Sequence, residues 1–149
     1  MVVAGKITNE QFDLAVKDWL KWLHLDPWKI VISSDPPNED AILDISVVEG
    51  RYLGTIRISD YFHEMEPREQ SGSICHELLH LKQQRLCDQL RYLVRNTSTD
   101  TKTAVDDLFH LEVEYMTDWL ADILADVFLI PESLLMEEKG EEIKPELTA

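Results

Sequence analysis

Between Thr8 and His24 the apolar residues Phe12, Val16, Trp19, Leu20 and Leu23 recur at the spacing of one helical face. Thr8 can cap this helix, with Gln11 three positions on completing a capping box. Asp26-Pro27 predicts its end, because the residue before proline disfavours helical backbone. Trp28 to Ser33 is a short β-prone run, and Asp35-Pro36-Pro37-Asn38 is turn-like. The period then changes from helical to two. Leu43, Ile45 and Val47 alternate with Asp44 and Ser46. After a turn at Glu49-Gly50-Arg51, Ile56 and Ile58 alternate with Thr55, Arg57 and Ser59. Two alternating runs around a short glycine turn predict a β-hairpin. Pro67 suits the first turn of a long helix running to about Arg95. Residues 96–103 read as a polar loop with no core residue. A second long helix is expected from about Ala104 to Phe128, its apolar face made by Val105, Phe109, Val113, Met116, Leu120, Leu124 and Val127. Pro131 marks a break before a short last helix. The expected class is α+β: an N-terminal helix, a small antiparallel-containing sheet with a hairpin, then two long helices. One domain over residues 1–136 and a charged, mobile tail over 137–149 are expected.

Composition narrows this little. The chain has 149 residues, about one domain, and 44% hydrophobic and 29% charged residues fit a soluble globular protein. No apolar run approaches the roughly 18 residues of a membrane helix. The first eleven residues turn polar too soon for a secretory signal peptide, so a cytoplasmic location and no membrane partner are expected. Cys75 and Cys87 lie on one predicted helix, roughly 18 Å apart, too far for a disulfide, and both are expected to pack as thiols. The net charge of −15 argues against a nucleic-acid partner. All four tryptophans, Trp19, Trp22, Trp28 and Trp119, are expected in the core, and Arg85, Arg91 and Arg95 are spaced to meet carboxylates of neighbouring elements. His24 suits a helix C-terminus, and His63 is expected in a partly exposed loop.

The chemistry is concentrated in His76-Glu77-Leu78-Leu79-His80. Positions four apart on a helix share one face, so both imidazoles can reach one zinc ion. Glu77 lies beside that face, where it can take a proton from an activated water and pass it to a leaving amine. Ile74, Leu78 and Leu81 give the same helix a stripe to bury. Two histidines are too few for a catalytic zinc, which takes three protein ligands. The candidates for the third are His110, Glu112 and Glu114, all on the second long helix. Glu112 borders the expected apolar face. Glu114 lies on the other side with Thr117, Asp118, Ala121 and Ala125, and such small residues let two helices approach closely. Glu114 is favoured on this ground. Asp118, one turn on, can accept the second N–H of a ligating histidine.

His76-Glu77-x-x-His80 followed by Glu114-x-x-x-Asp118 on a later helix resembles the gluzincin branch of zinc metallopeptidases, over roughly residues 41 to 128. The resemblance implies a zincin-like minimal core and a peptide or protein substrate. It implies His76, His80 and Glu114 as ligands of Zn2+, Glu77 as general base and acid, and Asp118 as a carboxylate on a ligating histidine. The chain lacks the large C-terminal helical domain of bigger gluzincins, so an oxyanion stabiliser must come from Tyr61, His63, Tyr92, His110 or Tyr115. In size it is similar to compact prokaryotic or phage-encoded metallopeptidases, some of which cleave a repressor. The alternatives are an acidic, non-enzymatic interaction protein on the same scaffold and a hydrolase acting on something other than peptide.

Overall fold

In a computed structural model, residues 6–38, 40–48 and 50–135 are described. The expected tail and Glu49 of the expected turn lie outside them. The class is α+β: five helices and one three-stranded mixed sheet. Helix α1 spans Asn9–Trp22. Its capping box forms: Thr8 Oγ1 accepts from the Gln11 N–H at 3.1 Å, and Gln11 Oε1 accepts from the Thr8 N–H at 2.9 Å. At the other end the His24 N–H reaches Lys21 O and the Leu25 N–H reaches Leu20 O, the paired bonds of a Schellman turn. His24 takes the left-handed position with φ 54°, so it ends the helix by backbone geometry.

Strands β1 (Lys29–Ser33), β2 (Leu43–Val47) and β3 (Leu53–Ile58) lie in the order β1-β3-β2. The β2–β3 hairpin is antiparallel, as its alternation predicts. The pairing of β1 with β3 is parallel and was not read from the sequence. It leaves β2 as an edge strand. Residues 60–64, expected as loop, form a short helix α2 (Asp60–Glu64) capped by Ser59.

Helix α3 spans Pro67–Val94 and α4 spans Thr99–Val127, followed by α5 (Glu132–Leu135). Helix α4 begins five residues before the expected Ala104, because Ser98 caps it by accepting from the Thr101 N–H at 3.2 Å. The core gathers Phe12, Val16 and Trp19 of α1, Ile56 of β3, Phe62 of α2, and Ile74 and Leu78 of α3. Trp19 donates to Ser71 at 3.0 Å, and Trp22 stacks on Phe128 at 5.2 Å. No described helix is long and apolar enough to cross a membrane.

Two expectations about side chains fail here. Trp119 is 64% exposed, and Met116 and Val127 of the expected apolar face of α4 are also exposed. Helix α4 turns Thr117, Ala121 and Ala125 inward, with Leu120 and Leu124 of the expected face half-buried against the core, while the larger apolar residues on its far side face solvent. Arg91 pairs only within its own helix, with Asp88 at 3.7 Å, and Arg95 lies over the Tyr92 ring. Arg68 makes the link between helices that those arginines were expected to make, at 3.1 Å from Asp122 and 2.6 Å from Asp126. Cys75 and Cys87 are free thiols, the first buried and the second half-buried.

Candidate metal centre

The site forms where small residues of α3 and α4 face each other. Ser71 and Gly72 on α3 and Thr117, Ala121 and Ala125 on α4 are small, and a Cβ placed on Gly72 would stand 3.7 Å from that of Ala125. Side chains one turn further along α3 therefore meet α4 directly. His76 and His80 point across the gap, one helical turn apart, with their Nε2 atoms 3.2 Å from each other. Glu114 meets them from α4: Oε2 lies 3.4 Å from His76 Nε2 and Oε1 lies 3.2 Å from His80 Nε2. Behind the first imidazole, Asp118 Oδ1 is 2.8 Å from His76 Nδ1. Asp118 thus holds the Nδ1–H tautomer and leaves the His76 Nε2 lone pair facing the gap.

These atoms fit a cation. Where the Nε2 lone pairs of both rings face the gap, two imidazole nitrogens and two carboxylate oxygens converge as acceptors and favour a positive charge among them. A tetrahedral zinc with ligands at about 2.0–2.1 Å keeps its donor atoms about 3.3 Å apart, which is the spacing found here. His76, Glu77 and His80 also offer ligand atoms within 4.8 Å of one another, which makes Glu77 a rival third ligand. Glu77 Oε1 is 4.0 Å from His76 Nε2, whereas Glu114 brings an oxygen to 3.4 Å from His76 Nε2 and 3.2 Å from His80 Nε2. Of the other candidates, Glu112 is exposed on α4 and His110 lines a separate cleft of about 320 Å³ with Cys87 and Val113.

Electrostatics separates the roles further. Burial, then the charges of Glu114 and Asp44, push the Glu77 carboxyl from its ordinary 4.5 to about 8. A carboxyl poised near neutrality is suited to accept and return a proton. Burial holds His80 below its ordinary value, against the pull of Glu114, and a neutral imidazole is the form that binds metal. Gln83 also bonds His80, and it is anchored to Thr117 of α4 at 2.9 Å.

The centre opens into a cleft of about 630 Å³. Its walls include Ala41 and Ile42 just before β2, Leu43 at its start, Tyr61 of α2, and Arg68, Glu69 and Ser73 of α3. Of the five residues weighed as oxyanion stabilisers, only Tyr61 lines this cleft. His63 instead accepts the Ile7 N–H at 3.1 Å, Tyr92 and Tyr115 are exposed on outer faces, and His110 lies in the other cleft. The sequence reading did not single out Arg68, whose ion pairs fasten α3 to α4 beside the site. The i, i+4 spacing of Asp122 and Asp126 was its only local signal. Comparison with protein-family models, with curated proteins and with solved structures gave no match to this chain.

Proposed function

We propose that the chain is a zinc-dependent peptidase of gluzincin type, with a zincin-like core in which α3 carries the two histidines and α4 the third ligand. The observation that carries this reading is the convergence of His76 Nε2, His80 Nε2 and both Glu114 oxygens at 3.2–3.4 Å, with Glu77 beside them. His76, His80 and Glu114 would hold the ion. A zinc ion held there would supply Lewis acidity for activating water and polarising a carbonyl. Asp118 keeps His76 in the tautomer that presents Nε2. Glu77 would take the proton of the attacking water and return it to the departing amine. Tyr61, which lines the cleft, would be the donor to a substrate carbonyl. The unpaired edge of β2 can hold an extended peptide by backbone hydrogen bonds, and the start of that strand borders the cleft.

The test joins metal analysis with one variant. The purified chain should carry about one zinc, measured by elemental mass spectrometry. Glu77→Gln should keep that zinc and lose about 10²–10⁴-fold in peptide hydrolysis. Full activity in Glu77→Gln would end the proposed role for Glu77. Failure to bind zinc by well-folded protein would end the metal reading and leave the acidic interaction protein in its place.

A further inference from the structure

The outer side of α4 carries a row of apolar residues that no other described element covers. Leu111, Tyr115, Trp119, Ile123 and Val127 follow at four-residue intervals and are 51, 67, 64, 40 and 70% exposed, with Leu108 and Met116 beside them at 65 and 59%. Apolar patches beyond about 300–600 Å² on a single protein mark interaction sites. We propose that this row is the interface of a two-fold homodimer, in which α4 of one copy crosses α4 of the other.

Area favours a second copy as occupant. With about 150–250 Å² per aromatic side chain, the stretch from Leu111 to Ile123 with Met116 presents roughly 500 Å² of apolar surface. A standard interface takes about 800 Å² from each partner, about 60% of it non-polar, which is the same amount. Ridge geometry adds to this. Residues four apart form the i±4 ridge of a helix, and two such ridges interdigitate at about −50°, the commonest helix crossing. Under a two-fold axis each copy supplies the same ridge to the other, so one surface suffices.

The crossing centres on Tyr115 and Trp119, with Glu112, Asp122 and Asp126 flanking it on the same helix. Two of these are already held by Arg68. Each copy carries a net charge of −15, so the copies repel at long range, and the dimer should tighten as salt screens them. A row built for a basic partner would show the opposite dependence. The pairing does not depend on whether the centre holds metal.

Sedimentation velocity of the full chain tests this. A dimer is expected with Kd in about the micromolar range, tighter at high salt. Trp119→Asp, with unchanged circular dichroism and zinc content, should be monomeric at about 100 µM. If Trp119→Asp does not fold, Leu111→Asp, at a half-exposed position outside the core, gives the same reading. In a Cys87→Ser background, Tyr115→Cys should cross-link to its partner through a short bis-maleimide, and Thr101→Cys, near the far end of α4, should not. A monomer at about 100 µM, a dimer that both aspartate variants leave intact, or association that weakens with salt overturns the proposal.

Discussion

Asp118 is 71% exposed at its side chain, yet its Oδ1 lies 2.8 Å from His76 Nδ1. Its value lies in fixing one tautomer of one ring. Asp118→Ala is expected to weaken zinc binding by about 10–100-fold with little loss of fold, measured by chelator competition. A second residue-scale effect lies far from the centre. His63 Nδ1 accepts the Ile7 N–H, and burial, helped by Lys6, lowers its pKa from 6.5. A lowered histidine pKa means that the stability it contributes is present above 6.5 and lost as pH falls through the folded value. Protonation also removes the lone pair that Ile7 uses. The protection of the Ile7 amide against hydrogen exchange should therefore fall on acidification below 6.5. His63→Phe should remove that protection at every pH. Legibility at this scale follows distance in sequence. His76, Glu77 and His80 could be read because one helical turn brings them together. Glu114 could be favoured over Glu112 because the side of a helix follows from periodicity. Tyr61 could only be left among five, because its place in the cleft depends on how α2 docks.

The two long helices were legible as elements, but their faces were less so. The apolar count on α4 pointed to Val105, Phe109, Val113, Met116, Leu120, Leu124 and Val127. The structure buries Thr117, Ala121 and Ala125, since small residues permit the close approach on which the centre depends. Hydrophobicity locates a core only where elements have room for large side chains; at a tight crossing, size decides. The polar segment before Ala104 became helix for a related reason: a solvated helix needs a cap more than an apolar face. The parallel β1–β3 pairing joins segments on either side of the hairpin's first strand, and no local pattern encodes it. Ala121, 4% exposed between the long helices, gives the test at this scale. Ala121→Leu should cost about 1–3 kcal/mol by overpacking, read as a lower thermal midpoint. By moving Glu114 away from the histidines it should also weaken zinc binding at least about tenfold, and isothermal titration measures that loss separately.

For the whole molecule, the proposed metal site ties binding to folding. Zinc would bind the arrangement made by α3 and α4 and not the open chain, so on the proposed reading zinc at 100 times its Kd should add about 2.7 kcal/mol to stability. For a chain of this length that is a rise of about 5–10 °C in the thermal midpoint. Glu77→Gln should show the same rise, and His80→Ala should show none. The α+β character was legible because period and composition agree along the chain, whereas the mixed sheet order and the close helix crossing depend on contacts between distant segments.

Beyond Leu81 on α3 and before Thr117 on α4 no residue is buried. About half of each helix therefore stands as a thin hairpin, held mainly by half-buried contacts. Amides there should exchange through local opening, while those under Trp19 and Ile74 wait for global unfolding. An opening that starts at the tip travels inward until it meets His80 and Glu114, which face each other at the root. An ion held between them would stop the opening there, and without it the opening could run on into the crossing. The lifetime of the bound ion would then set how long the arm stays shut, and metal release and arm opening would share one clock.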